Sequence, residues 1–485
     1  MMFADWIDLT IVPEISLALG LVSVVLFGAF SASISRAYFM AIIVVLTLLG
    51  LLAWVPTHTT TVMQSHWVFD QLAYVLKTAA ALSVVCVLIY SQRSMESDQY
   101  LQGEYLILML AALLGSCVVM SSMHVLTLFV GFELMSLPLY ALVAIRSKAK
   151  DEQATKATEA ATKYFITGAL ASACFLYGLS LIFGATGHMQ LMDITHALAQ
   201  LPAAQYHGAI LGLVLVIVAL AFKLGLAPFH IWVPDVYEGA PLSVTLLIAT
   251  LPKLALVALC IRLFGTVLTP LSSVWQPILI GLGVASMILG NGIALCQTHV
   301  RRLLGYSAIG HMGILILAFV LAQQHGLSIA LFYSLTYALT TALVFGGLLQ
   351  LRVHGAHCEH IESLSGLNER YPGSAVLLLI GIFSLAGVPP IVGFMAKFSL
   401  IQGLLQAHHT TLALTVVLMA CVGCFYYIRL IKVMYFDAPQ EEQLIHWSGR
   451  SGDWALRIHG VVVLVLGLMP AVLMSWSQTA IQHAI

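Results

Sequence analysis

The chain reads FKLGLAPFHIW at 222–232 and LAGVPPIVGF at 385–394, and each stretch sits in the middle of a long apolar run. The runs cover about 208–238 and 372–405. As single helices they would each measure roughly 45 Å or more, against a bilayer core of about 30 Å. Gly225 and Pro228 interrupt the first, and Gly387, Pro389 and Pro390 interrupt the second. Proline has no N–H to donate and clashes with the preceding turn, so each run is expected to be two half-helices around an unwound segment. Such backbone survives at membrane depth only where protein or water covers it. Both segments therefore belong inside a helix bundle.

Composition supports a bundle in a membrane. Of 485 residues, 60% are hydrophobic and 8% charged, where soluble domains carry about 25% charge. The expected fold class is an all-α polytopic membrane protein forming one integral membrane domain, 1–485. The longest polar stretches, 353–372 and 436–457, are loop-sized. A formal charge of −1 gives no reason to invoke nucleic acid. Eight cysteines are scattered, seven of them in apolar runs where a thiol acts as a small hydrophobe. Cys421 and Cys424 share a helix face and read as packing, since no further ligand lies nearby. The first apolar run follows Asp5, Asp8 and Glu14 rather than a basic region, so it reads as a retained helix and not a signal peptide.

Spans near 20 residues fall at about 12–33, 37–57, 68–91, 104–121, 124–145, 157–185, 208–238, 241–268, 274–297, 302–322, 326–351, 372–405, 410–435 and 457–478, fourteen in all. The loops after odd-numbered spans hold Arg36, Arg93, Arg146, Lys148, Lys150, Lys156, Arg301, Arg302, Arg352, Arg370, Lys432 and Arg450. The loops 58–67, 186–207, 269–273, 323–325 and 406–409 hold no Lys or Arg. The positive-inside rule then puts both termini outside. Spans 7 and 12 are separated by an odd number of crossings and run in opposite senses. Paired broken helices of opposite sense mark inverted-repeat transporters with midplane sites. The expected division is 1–121 for the first four spans, the fourth opening the first repeat; 104–268 and 274–435 for two five-span repeats; and 457–478 for the last span. The repeat rests on topology, without residue-level similarity.

Five charges lie within these spans: Glu133, Lys163, Lys223, Lys253 and Lys397. Each opposes insertion by roughly 2.5 to 3.5 kcal/mol at a helix centre, and such residues are the material of proton relays. Lys223 comes five residues before Pro228, and Lys397 seven after Pro390. Freed carbonyls and water at a break can solvate an ammonium, while desolvation makes it readier to give up its proton. Glu133 reads as the one acid deep in a span and the natural partner of Lys223. That pair is either a static ion pair or a proton switch, and one acid cannot neutralise four cations. Lys253, beside Pro252, is placed to bridge the two breaks. Lys163 is nearer the inner end of its span and could snorkel. His230 and His311 are either satisfied core histidines or holders of a water wire between lysines.

Other signals are weaker. His354, His357, Cys358, Glu359 and His360 resemble a metal cluster, but irregular spacing favours solvated polar residues, and no metal site is expected. Lys77 reads as a peripheral ion pair with Asp70. No phosphate loop, haem motif or dinucleotide motif occurs, so energy must come from a partner or an ion gradient.

Three runs, FKLGLAPFHIWVPDVYEGAP (222–241), RRLLGYSAIGHMG (301–313) and FSLAGVPPIVGFMAKF (383–398), resemble the proton-translocating, antiporter-like membrane subunits of respiratory complex I. The resemblance covers essentially the whole chain. PDVYEGAP (234–241), a lysine on span 12 and the absence of a long lateral helix resemble the N-type branch most. The resemblance implies that Glu133 pairs with Lys223 under modulation by Lys163. It also implies that Lys253 connects the pair inward and that Lys397 passes the proton outward. It implies a subunit of an NADH–quinone oxidoreductase in a bacterial inner membrane, set between subunits resembling K and M. No cofactor would be bound by this chain, and FMN, iron–sulfur clusters and quinone would belong to partner subunits. The rival implication is a subunit of a multisubunit cation/proton antiporter.

Overall fold

A computed structural model describes residues 9–30, 34–57, 66–97, 103–148, 152–321, 325–353, 356–439, 445–447 and 452–482. Asp5, Asp8, Lys150, His354 and Arg450 lie outside the described residues, as do the side chains of Arg93 and Lys148. The first helices are α1 Val12–Phe30, α2 Ile34–Trp54, α3 Gln71–Ser97, α4 Gly103–Ser121, α5 Val125–Ala144, α6 Glu152–Thr186, α7 Leu191–Ala199, α8 Ala203–Leu224, α9 Trp232–Gly239 and α10 Leu242–Arg262. Then come α11 Ser272–Leu295, α12 Val300–Val320, α13 Gly326–Gln350, α14 Leu367–Arg370, α15 Pro372–Ala386, α16 Val392–Gln406, α17 Thr410–Tyr435, α18 Asp453–Leu468 and α19 Pro470–Gln482.

Among the described residues, twelve helices are long and apolar enough to cross a bilayer, or thirteen if the bent pair α18–α19 is one span. In hydrocarbon each backbone group must find its partner within the segment, and a helix does this for an apolar run of any side-chain pattern. The pattern instead decides depth. α10 is apolar all round and wholly buried, and α12 and α13 are nearly so, whereas α1 and α17 expose most of their surface. The remaining helices surround that central group.

Small residues set the closest approaches. A Cβ added to Gly178 on α6 would lie 2.7 Å from the carbonyl oxygen of Gly212 on α8. One added to Gly290 on α11 would lie 2.6 Å from the amide nitrogen of Gly310 on α12. Backbones this close gain dispersion and carbonyl contacts that larger residues would forbid.

The two long runs each carry a break. α8 ends on Gly225 at φ 78°, and α15 ends on Gly387 at φ 82°. This left-handed conformation is natural only to glycine, and it lets the next amides fold back onto orphan carbonyls. Leu226 N donates to Ala221 O at 2.8 Å, and Val388 N donates to Phe383 O at 3.0 Å. The chain resumes helix at Trp232 in the first run and at Val392 in the second.

Two expectations need correction. The fold is not purely helical: β1 Leu351–Val353 pairs antiparallel with β2 Ala356–His357 and with β3 Ile445–Trp447, in the order β2-β1-β3. Strands of two or three residues are too short to show an alternating pattern in the sequence. The last run is also not one straight helix, because α18 and α19 meet at 81°. Pro470 cannot donate, and it forces Met469 out of the helical region, to φ −125° and ψ 58°.

Candidate functional site

Lys223, Lys253, His311 and Lys397 lie buried, though not in the pairs the sequence suggests. Lys223, in the last turn of α8, is 6% exposed. It donates to Ser136 Oγ at 2.6 Å and to Tyr140 OH at 2.7 Å, both on α5. Its ammonium also lies 4.7 Å from the centre of the Phe132 ring. Gly168 on α6 makes room for this arrangement, since a Cβ there would meet the Tyr140 hydroxyl at 2.1 Å. Glu133 lies one turn before Ser136 on α5, and its buried Oε1 has no hydrogen-bond partner among the described residues. Lys223 thus reaches the hydroxyls of α5, and its ion pair with Glu133 is open. Ser136 and Tyr140 follow Glu133 at i+3 and i+7, one helical face, and that spacing is the signal that could have found them.

Lys253, on the wholly buried α10, sits 5.9 Å from the centre of the Tyr337 ring on α13. The Tyr337 and His311 rings are 5.3 Å apart. His311, on α12, bonds Tyr333 OH through Nδ1 at 2.7 Å and Tyr427 OH through Nε2 at 3.1 Å. Tyr427 also shares a short hydroxyl–hydroxyl contact with Ser307. A cavity of about 10 Å³, bordered by His311, Tyr337, Thr340, Ser384 and Lys397, separates the histidine from the second break. That is about the space of one water, and the lining offers the polar partners a water needs. Lys397, on α16, closes the row by donating to the carbonyl oxygens of Leu385 and Ala386 at 2.9 and 2.8 Å. Lys253, Tyr337, His311, the cavity and Lys397 therefore lie in one row, linked by ring contacts of 5.9 and 5.3 Å and by a space for a single water. The tyrosines were not legible, because α13 is buried on every side and no face of it stands out.

His230 lies in the turn between α8 and α9, its buried Nδ1 without a partner among the described residues. Lys163 stands apart from the row. Its side chain is 45% exposed and pairs with Glu159 at 2.7 Å and Asp235 at 2.8 Å. Asp235 and Glu238, on α9, also hold Arg302 on α12 at 3.0 and 2.8 Å. These ion pairs fix the second half of the first broken run between α6 and α12.

Three charges differ from their sequence reading. Lys77 does not pair with Asp70. It is fully buried, 2.5 Å from Glu14 Oε1, so Glu133 is not the only carboxylate of a spanning helix set among protein. Asp70 instead accepts from Arg262 at the end of α10, at 3.0 and 3.1 Å. Pairing between distant helices leaves no linear pattern to read. Glu359 is not merely solvated, since Arg301 lies at 2.9 Å, His299 at 3.7 Å, and Gln153 donates to it at 2.9 Å. The neighbouring His299, and then Arg301, hold its carboxyl down at about 2. A depressed carboxyl contributes its full stability above its unfolded value and loses it as pH falls from there through its folded value, so this contact stays ionised at any physiological pH. No group of three or more His, Cys, Asp and Glu stands in metal-binding geometry among the described residues.

Chemically, the centre offers three buried amines, an imidazole and intervening hydroxyls, groups that can give and take protons. Residues 122–423 match the membrane family described as NADH:quinone oxidoreductase/Mrp antiporter, TM. A protein named NADH-quinone oxidoreductase subunit N from Laribacter hongkongensis is 39% identical over 477 residues, covering 97% of this chain and 95% of that one. A chain of respiratory complex I from Thermus thermophilus superposes with a TM-score of 0.81 at 30% identity, over 96% of this chain and 98% of that one. A chain of the Mrp complex from Dietzia superposes with a TM-score of 0.85 at 22% identity, over 98% and 97% of the two chains, a likeness of fold.

Proposed function

Because the chain belongs to the NADH:quinone oxidoreductase/Mrp antiporter membrane family, we propose that it is the N-type, proton-translocating membrane subunit of an NADH–quinone oxidoreductase. The observation that carries this reading is the buried row from Lys253 through Tyr337 and His311 to Lys397, with Lys223 and the open Glu133 at its other end. In this reading Glu133 and Lys223 exchange contact as the proton load changes, Lys253 links them to His311, and Lys397 delivers the proton to the outer side. Lys163 and Asp235 set the field at the inner end, and His230 holds water at the first break. Quinone reduction in partner subunits, which carry FMN and iron–sulfur clusters, supplies the energy.

We read α8–α9 and α15–α16 as the two discontinuous spans. With α15–α16 and α18–α19 each counted once, the chain then crosses the membrane fourteen times. The arginine and lysine loops place both termini outside a bacterial inner membrane, and the two five-span repeats are 104–268 and 274–435. Neighbours resembling K and M would flank it in the membrane arm. The alternative, a cation/proton antiporter subunit, is supported by the shared family description and by a likeness of fold at 22% identity. The relatives near 40% identity carry the oxidoreductase name.

Lys223→Ala tests the reading. The assembled complex, in inside-out membrane vesicles, should still reduce quinone but lose most proton uptake per electron, because no side chain then carries a proton at the first break. Wild-type uptake in this variant removes Lys223 from the path.

A further inference from the structure

A second set of buried charges lies where α1, α3 and α4 come together, away from the row that ends at Lys397. Lys77 and Glu14 touch at 2.5 Å with side chains 0% and 5% exposed. Apart from this contact, neither carboxylate oxygen of Glu14 nor Lys77 Nζ has a hydrogen-bond partner among the described residues. The ammonium is walled instead by the Trp67 and Phe69 rings, whose centres lie 5.0 and 4.8 Å away. Two turns earlier, Asp70 caps α3 through Ala73 N and grips both terminal nitrogens of Arg262. Arg262 also donates to the Met120 carbonyl at 2.9 Å, and it ends the helix that carries Lys253. Cys117, buried on α4, is the other titratable group whose charge reaches the pair.

We propose that Glu14 and Lys77 form a further proton-holding pair of this subunit, tied through the Asp70–Arg262 clamp and α10 to the row containing Lys253. The proposal rests on the proton-translocating reading above. In the ionic form a carboxylate faces an ammonium. Moving the one proton across the gap gives a carboxylic acid facing a neutral amine, with no change in net charge. A second proton gives the acid facing an ammonium, net +1, and its release restores the pair. Extra side-chain donors on the carboxylate would fix it in the ionised form, and beyond Lys77 no other side chain among the described residues donates to Glu14. Asp70 is the contrast: two guanidinium nitrogens hold it, and arginine stays protonated, so that pair anchors and does not exchange. A pair serving only to fill space could be replaced by apolar residues without loss, whereas intramembrane charges are functional positions by default.

The test records quinone reduction and proton uptake together, in the assembled complex in inside-out vesicles, over a range of pH. Glu14→Leu with Lys77→Leu removes the pair while keeping apolar packing. Lys77→Arg keeps a cation opposite Glu14 but not one that yields its proton. Both variants are expected to show a several-fold loss of proton uptake per electron and a changed pH profile. Wild-type uptake and profile in either variant overturns the proposal. Failure of both to assemble marks the pair as structural and overturns it too. Lys223→Ala separates the two readings: if it loses uptake while the Glu14 and Lys77 variants do not, only the present proposal falls.

Discussion

At Gly225 and at Gly387 the chain turns in the same left-handed way, yet the two breaks treat their lysines differently. At the first, the Phe222 carbonyl accepts from Gly225 N at 3.0 Å and from the Trp232 indole at 2.9 Å, and Lys223 turns to the hydroxyls of α5. At the second, Lys397 itself takes the carbonyls of Leu385 and Ala386. The cause is direction. Side chains lean toward the N-terminus of their own helix, and helix carbonyls point toward the C-terminus. Lys397, near the start of α16, therefore leans into the break and meets the negative end of α15. Lys223, at the end of α8, leans away from its break. A lysine after a break is solvated by backbone, and one before it needs side chains from elsewhere.

The largest expected effect is on the backbone-held lysine. Lys397→Arg keeps a charge against the Leu385 and Ala386 carbonyls but cannot release a proton. The complex should assemble and lose nearly all proton uptake in vesicles, while uptake at the wild-type level would mean that Lys397 is a static charge. Next come the two glycines. A Cβ at 387 would sit 2.9 Å from Lys397 Cδ, and one at 225 would sit 2.7 Å from Val233 Cγ2. Gly387→Ala and Gly225→Ala should lose similar stability, about 1–2 kcal/mol each from the left-handed backbone, read as thermal inactivation of the complex. Only Gly387→Ala should also lower proton uptake per electron. Equal uptake losses in the two would break the comparison.

A smaller effect belongs to the hydroxyls. Ser136→Ala with Tyr140→Phe leaves Lys223 without acceptors, an unsatisfied-group cost of about 1–3 kcal/mol. Uptake should fall several-fold, and by more than in either single variant. Lys397, held by backbone, has no side-chain change that does the same. Trp232→Phe should matter least: it removes one of two donors to the Phe222 carbonyl, Gly225 N remaining, costs roughly 1 kcal/mol, and leaves proton uptake per electron as in wild type. A loss of uptake there would show that the first break also governs its lysine through backbone.

The breaks were legible because glycine and proline announce themselves in an apolar run, and the lysines because charge is costly in lipid. Their partners were less so. Tyr337, Tyr333 and Tyr427 sit in helices whose sequence is apolar on all sides, so no periodicity separates the face toward Lys253 and His311 from the others. Ser136 and Tyr140 were readable from Glu133 by helical spacing. Glu14 hid in the first turn of α1, where an acid resembles a flank, and Arg262 hid at the C-terminal end of α10. Only the folding of α1 beside α3, and of α3 against α10, reveals that these charges are shared out as Glu14–Lys77 and Asp70–Arg262.

The bend between α18 and α19 gives the second break a lid that the first does not have. A Cβ placed on Gly467 would meet Pro390 O at 2.4 Å, Val392 N at 2.7 Å and Ile391 Cα at 2.8 Å. The last residues of α18 thus rest directly on the unwound segment, backbone against backbone. The first break is met instead by Ser286 of α11, which accepts from Ala227 N at 2.8 Å. Any side chain at 467 must lift α18 or prise the segment open, so a residue some seventy positions beyond Lys397 sets how tightly that lysine's pocket is shut.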